Sequence, residues 1–375
     1  MILLTVFVFI FILGLLVFVH ELGHFIMAKR AGMRVDEFGF GFPPRIFGIR
    51  KGETIYSINW IPLGGFVKIV GEDGSDTTDV QSFGNKSFWR RFSVLIAGVT
   101  MNVILAWVLI SIGVGLGLPT VIDESTVLPR SAVVKNPTVG ILEVEDNTPA
   151  ASAGLKPGDA IVKIGDANVT SIQQAQDLTR DHAGNATVYE IRRGSEVLDK
   201  TITPRLNPPE GEGALGIALA TVARVAFPWY EAPYRGLIIA FNLLWGTLSA
   251  FGGIIVGLFH GAKVTEALSG PVGIAVLTRD VTALGFIYLL QFTAVLSINL
   301  AIINAVPFPA LDGGRILFLI IEKIRGKKMR PKVEQVANTI GFLLLISLMV
   351  FVTIRDVHKF SDQFMHLFQR IRNIL

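Results

Sequence analysis

The chain has 375 residues, of which 51% are hydrophobic and 17% charged. A water-soluble domain usually carries about 25% charged residues, so the composition excludes an ordinary soluble fold. Cysteine is absent, which excludes disulfides and thiolate chemistry. The net charge of +4 sits in short basic loops, a pattern of membrane orientation rather than of nucleic-acid binding.

In chain order, residues 2–19 carry no charge and predict a helix from about Ile2 to Lys29. No basic stretch precedes this run and no small-residue cleavage site follows it, so it reads as a retained membrane helix rather than a signal peptide. Near its end lies His20-Glu21-Leu22-Gly23-His24. The polar stretch 30–91 holds Arg30, Arg34, Arg45, Arg50, Lys51, Lys68, Lys86, Arg90 and Arg91. Within it, Thr54–Ile69 is rich in β-formers and punctuated by Pro62, Gly64 and Gly65. It predicts a β-hairpin or a kinked edge strand, part of a membrane-associated β-region at about 35–75. Phe38-Gly39-Phe40-Gly41-Phe42 is too apolar for a solvated loop and is expected to touch the bilayer. A second helix over 92–118 closes an N-terminal membrane part, 1–118.

Residues 119–233 form the one long soluble segment. A strand is expected at 160–164, a helix at 171–181, and strands at 186–192 and 197–203 around Arg193-Gly194-Ser195. The passage NTPAASAGLKPGDAIVKIGD resembles the PDZ domains of bacterial proteases. The resemblance implies one α/β PDZ-like domain over about 119–208, of a kind that binds extended peptide ends by strand addition. Val139-Gly140-Ile141 and Leu215-Gly216-Ile217 are alternative candidates for the loop before its first strand. A linker, 209–280, contains the uncharged run 236–259. The C-terminal membrane part, 281–375, has an uncharged run at 281–311. A basic loop follows with Lys323, Arg325, Lys327, Lys328, Arg330 and Lys332, then a last helix at about 335–356.

Both basic loops belong in the cytoplasm by the positive-inside rule, which places 119–233 outside. An odd number of crossings must then lie between 233 and 323. Two runs compete for that one crossing, so 236–259 is expected to lie at the interface as a helix over about 234–260. The expected fold is a polytopic α-helical membrane protein with four transmembrane helices. It carries a cytoplasmic β-hairpin region and one extracytoplasmic PDZ-like domain.

Positions i and i+4 share a helix face, so His20 and His24 point two imidazoles at one ion. Glu21 lies one step round the helix, near enough to take a proton from a water at the metal, as in an H-E-x-x-H hydrolase. Ionisable residues inside a membrane helix are costly and mark function. A third ligand is needed. His182, His260, His358 and His366 are assigned to the outer side. His20 is about 17 residues, roughly 26 Å, from the helix start and so lies in the cytoplasmic half. Asp312 is the first acid after the descending run 281–311 and reaches the same depth. Its competitor Glu322 is expected to snorkel at the interface beside Lys323. Two prolines and two glycines around Asp312, in Asn304-Ala-Val-Pro307-Phe-Pro309-Ala-Leu-Asp312-Gly313-Gly314, predict a helix broken at a polar site.

HELGH, the PDZ-like passage, SGPVGI at 269–274 and NAVPFPALDGGR at Asn304–Arg315 together resemble the site-2 protease family, in particular its bacterial intramembrane metalloproteases. The resemblance implies zinc held by His20, His24 and Asp312, with Glu21 as the general base. It implies that Asn304 helps hold substrate, with Pro307, Gly39, Gly41, Gly64, Gly65 and Phe66 as further substrate-contact candidates. It also implies a monomer in the bacterial inner membrane, surrounded by lipid. The expected substrates are transmembrane segments of single-span proteins, such as anti-sigma factors or signal-peptide remnants. Many Gram-negative members carry two tandem PDZ domains, whereas this chain has room for one. Two other readings are a membrane-anchored peptide-binding adaptor, which leaves HELGH and LDG unexplained, and a transporter suggested by the broken helix.

Overall fold

Helix α1 spans Ile2–Arg30. At 1.5 Å per residue it is about 43 Å long, more than a bilayer's hydrocarbon core of roughly 30 Å. Strands β1 (Val35–Lys51) and β2 (Thr54–Ile69) follow and pair antiparallel around a turn at Gly52 and Glu53. Their pairing is folded back on itself. Phe38 opposes both Val67 and Tyr56, and Phe40 opposes both Gly65 and Ile58. Phe38–Phe42, within the expected β-region, is part of β1. Two of its phenylalanines pack against α1, while Phe42 stands exposed. The Phe38 ring lies 4.7 Å from Phe25 and 5.5 Å from Phe18, and Phe40 lies 5.9 Å from Phe18. Helix α2 (Phe88–Leu116) returns.

The structure, a computed structural model, describes residues 2–72, 79–123, 126, 128–194, 196–209, 211–260 and 270–359; His366 and Ser269 lie outside them. After α2 come β3 (Leu118–Ile122), β4 (Val133–Val144), the short helix α3 (Pro149–Ser152), β5 (Ala160–Ile164) and β6 (Ala167–Asn168). Then follow α4 (Ile172–Asp181), β7 (Thr187–Arg193), β8 (Glu196–Ile202) and β9 (Ile217–Ala226). The strands form one antiparallel sheet in the order β3-β9-β4-β5-β7-β8, with β6 paired to β5. The sheet thus continues past residue 208, the boundary expected from the sequence. The Pro208, Pro209, Gly211 and Gly213 stretch looks like a linker, yet it is a return loop that lets β9 pair along the length of β4. Val139–Ile141 lies inside β4, and Leu215-Gly216-Ile217 is the loop that opens β9, with Gly216 at φ +71°.

The remaining elements are α5 (Ala232–Phe259), α6 (Pro271–Leu284), α7 (Phe286–Ala305), α8 (Asp312–Arg325) and α9 (Pro331–Lys359). Among the described residues, five helices are long and apolar enough to cross a membrane: α1, α2, α5, α7 and α9. Large side chains such as Leu3, Phe7, Phe342 and Phe351 stand exposed on them. A contiguous apolar face of that size is costly in water and suits lipid.

Two units divide the chain. The first comprises Met1–Val108, Ile238–Arg279 and Thr293–Leu375. Its core joins Ala28, Met33 and Val35 to Ile69, Val94 and Leu319, so α1, the β1–β2 hairpin, α2 and α8 share one interior. Here Glu322 is not a snorkelling side chain. It accepts from Arg91 at 2.6 Å and from the Met329 N–H at 2.8 Å, because α8 packs it toward α2. Lys323 lies over the Phe88 and Trp89 rings.

The second unit comprises Leu109–Leu237 and Asp280–Phe292. Its core is built from Val139 and Ile141 of β4 and Tyr189 and Ile191 of β7, alternate residues as period-two burial requires, and from Ile161 and Ile164 of β5, where an irregularity between Ile161 and Lys163 shifts the alternation by one. Helix α4 starts at Ser171, whose hydroxyl accepts from the Gln174 N–H at 3.2 Å. Asp159 is 1% exposed and accepts two bonds from Arg193, at 2.6 and 2.7 Å, and one from the Lys156 N–H at 2.9 Å. The Asp159 carboxylate raises the Arg193 guanidinium above its ordinary pKa, so the pair stays charged on the arginine side.

Candidate metal centre

His20 and His24 lie one turn apart on α1, and Asp312 opens α8. Helix α7 stops at Ala305, and the six residues to Leu311 carry Pro307 and Pro309, neither of which can continue a helix ladder. Ala310 sits at φ +76°. The two glycines after Asp312 permit the new helix to start against the end of the old one. A Cβ on Gly313 would overlap the carbonyls of Ala305 and Val306, and one on Gly314 would overlap that of Phe308. Placing a carboxylate at a helix N-terminus also suits the helix dipole.

These elements bring three ligand atoms together. His20 Nε2 and His24 Nε2 lie 3.0 and 3.2 Å from Asp312 Oδ2, and 3.2 Å from one another. Ligand bonds of roughly 2.0–2.2 Å at tetrahedral angles separate donor atoms by about 3.3–3.6 Å, and this triangle is only slightly tighter, so a small outward shift of its members admits a zinc ion. The histidines are buried at 6% and 7% exposure. Among the described residues this is the one group of His, Asp and Glu able to hold a metal.

The floor of the site is α2. His24 Nδ1 lies 2.8 Å from the Val94 carbonyl and donates to it, leaving Nε2 free to face Asp312. Asn102 approaches His20 Nδ1 at 3.2 Å. Between them, one turn from each, is Gly98. A Cβ there would overlap His24 Nε2 and stand 2.7 Å from His20 Nε2. Sequence reasoning did not single out Gly98 or Asn102. The available signal was a buried-type amide, Asn102, inside the uncharged run 94–118.

Glu21 is tied to β2, its carboxylate accepting from the Val67 N–H at 3.1 Å. Gly64 and Gly65 run against α1: a Cβ on Gly64 would stand 3.0 Å from Val17, and one on Gly65 3.7 Å from the Glu21 side chain. Gly39 and Gly41 lie in β1 and fit against Phe66, Ser57, Asn59 and the Ile61 carbonyl. Asn304 is half-buried at the end of α7 and Pro307 is exposed just beyond it. A polar cavity of about 470 Å³ reaches Asp312, lined by Glu72, Arg315, Glu334, Asn338 and Thr339. Arg315 pairs with Glu72, and Asn338 Oδ1 accepts from the Ala310 N–H at 3.1 Å, bracing the break before Asp312.

His182 donates from Nδ1 to the Leu178 carbonyl at the end of α4, His260 lies at the end of α5, and His358 is in the last turn of α9.

The model of Peptidase family M50 matches residues 8–348. A relative from Clostridium perfringens is 36% identical over 345 residues, covering 91% of this chain and 95% of its own length. The zinc metalloprotease RasP of Geobacillus kaustophilus is 31% identical, covering 94% of this chain and 97% of its own. The regulator of sigma-W protease RasP of Bacillus subtilis is 30% identical, covering 95% and 98%. The chain belongs to peptidase family M50, the site-2 protease family, and is a membrane zinc metalloendopeptidase.

Proposed function

We propose that the protein hydrolyses peptide bonds within the transmembrane segments of single-span membrane proteins, as a step of regulated intramembrane proteolysis. The observation that carries this reading is the convergence of His20, His24 and Asp312 within 3.2 Å, the histidines after the uncharged run 2–19 and the aspartate directly after the uncharged run 281–311. The B. subtilis relative is named a regulator of sigma-W protease, and on that ground we take anti-sigma factors as one substrate class and signal-peptide remnants as the other.

In this reading His20, His24 and Asp312 hold zinc, which when bound polarises the scissile carbonyl and acidifies water. Glu21 takes the proton from the attacking water and delivers it to the leaving nitrogen. The Val67 N–H fixes the Glu21 carboxylate so that one oxygen stays free for that transfer. A helical substrate must be unwound before attack, since its peptide groups are already paired. The Gly64–Val67 end of β2 runs beside Glu21 and receives the unwound segment as an added strand. Gly39 and Gly41 shape that strand from the β1 side, Phe66 lies within it, and Asn304 and Pro307 contact substrate from the end of α7.

The second unit acts as a PDZ-like module on the extracytoplasmic side. Strand β3 covers β9 only from Thr221 to Val225, so among the described residues Ile217–Ala220 keeps an open edge. A groove of about 560 Å³ lies there, between Ala175 and Thr179 of α4 and Leu215, Ile217 and Leu219. It suits an extended peptide end. Four helices, α1, α2, α7 and α9, cross the bacterial inner membrane with the metal in its cytoplasmic half, while α5 lies at the interface and the protein works as a monomer in lipid. The test is cleavage of a single-span reporter in proteoliposomes. Loss of cleavage in Glu21→Gln with zinc retained supports the reading, and unimpaired cleavage overturns it.

A further inference from the structure

Asn102 is fully buried in α2, and its side-chain amide lies 3.2 Å from His20 Nδ1. Two arrangements satisfy that distance. In one, the amide N–H donates to a lone pair on Nδ1. The ring proton is then on Nε2, and that nitrogen has no lone pair left for an ion. In the other, the amide is turned by half a rotation about its Cβ–Cγ axis, and Nδ1–H donates to Oδ1. Nε2 then presents its lone pair toward His24 Nε2 and Asp312 Oδ2. Only the second is compatible with His20 as a ligand. With the amide nitrogen facing His20, Oδ1 is buried and has no hydrogen-bond partner. Turning the amide gives that oxygen the Nδ1–H as donor and puts the NH2 in its former place, so the ligand role of His20 decides between the two.

The backbone of the same residue is also engaged. Ser297 Oγ, fully buried on α7, donates to the Asn102 carbonyl at 2.7 Å. Asn102 thus touches the helix that carries two of the three ligand residues and the helix that leads to the third. His24 receives the equivalent restraint from the Val94 carbonyl, two turns earlier on α2. Metal-binding histidines depend on such partners to fix ring orientation and tautomer, and losing one typically weakens metal binding by about 10–100-fold.

We propose that Asn102 is a positioning residue for the metal centre. Its side-chain oxygen accepts from His20 Nδ1–H, holds the ring in the tautomer that exposes Nε2, and so sets the affinity for zinc. The proposal rests on the reading of His20, His24 and Asp312 as the zinc ligands.

The experiment uses the full chain in detergent, with zinc content measured after equilibration against a graded chelator. Four proteins are compared: the wild type, Asn102→Leu, Asn102→Asp and His20→Ala. Asn102→Leu keeps the branched outline at somewhat greater bulk and removes the acceptor, while Asn102→Asp keeps an acceptor oxygen. The expected result is a loss of zinc affinity of about 10–100-fold in Asn102→Leu and less than about threefold in Asn102→Asp. Melting of the metal-stripped proteins should differ little between these two, because the role concerns the ligand and not the helix contact. Wild-type zinc affinity in Asn102→Leu overturns the proposal, as does equal loss in both variants. His20→Ala separates the two levels of inference. Zinc retained in that variant removes the metal-centre reading itself, whereas zinc lost there but kept in Asn102→Leu removes only the role of Asn102.

Discussion

Asp356, in the last turn of α9, caps the start of α6: its Oδ2 accepts from the Gly270 N–H at 2.8 Å, 86 residues away in sequence. The same oxygen accepts from the Gly273 N–H at 2.9 Å, and Arg355 reaches the other at 3.2 Å. A helix start has orphan N–H groups, and here the cap comes from a distant helix instead of the preceding residue. The described part of the SGPVGI passage, Gly270–Ile274, is thereby explained as the receiving half of a buried polar joint. Asp356→Ala should cost about 2–6 kcal/mol, since it leaves two buried N–H groups unpaired at about 1–3 kcal/mol each. Asp356→Asn, which keeps an acceptor, should recover part of that. Thermal melting in detergent reads both, and equal stability of Asp356→Ala and wild type would remove the joint.

Gly98→Ala should damage the metal site without touching a ligand. The new methyl would occupy space held by both imidazoles, and each ring is pinned at Nδ1 to the same helix, so neither can easily yield. We expect at least about tenfold weaker zinc binding, the size of effect seen when ligand-supporting groups are lost. Chelator competition on the purified variant measures it, and unchanged retention would mean that α1 and α2 separate more readily than this packing implies.

Glu21→Gln should lower the cleavage rate by roughly 10²–10⁴, the range for losing a general base. Zinc content should stay near that of the wild type, because Gln keeps the side-chain shape and Glu21 is outside the ligand triangle. A proteoliposome assay with parallel metal analysis distinguishes a lost base from a lost metal.

Arg193→Leu should unsettle the second unit. It strands the Asp159 carboxylate, 1% exposed, with the Lys156 N–H as its remaining partner. Breaking a buried pair in this way costs about 3–5 kcal/mol. Changing both residues to Leu should recover much of the loss. Hydrogen exchange of β5 and β7 amides in the full-length protein reports this directly, and protection unchanged from wild type would show the pair to be dispensable.

A reporter fused after His260 tests the proposed topology. It should read as extracytoplasmic if α5 lies at the interface. A cytoplasmic reading would make α5 a fifth crossing and reverse the assignment of everything after it.

The local chemistry of this protein is written locally. His20, Glu21 and His24 fall within five residues, so helical periodicity alone places the two imidazoles on one face. The long uncharged runs announce helices, since a membrane leaves the backbone few other choices. The broken helix at Asn304–Asp312 was equally legible, because proline and glycine act on their own backbone. Asp312 as a partner was reached by depth, a one-dimensional argument that works in a membrane because helices are roughly parallel to a common axis.

What only the tertiary structure decided are relationships across the chain with no shared local pattern. Phe38–Phe42 is apolar enough for a bilayer loop, and only its pairing with both arms of β2 shows it to be a strand packed on α1. The return of β9 to β4 lies beyond a Pro- and Gly-rich stretch that looks like a linker. Glu322 had an equally plausible life at the interface until α8 placed it on Arg91. The floor of the metal site depends on residues 70 and 82 positions away from the histidines they hold. The sequence determined that His20, Glu21 and His24 share one stretch of helix with both imidazoles on one face, because that depends on residue type and helical spacing. The structure decided what orients them, because a hydrogen bond between helices depends on packing that no single segment encodes.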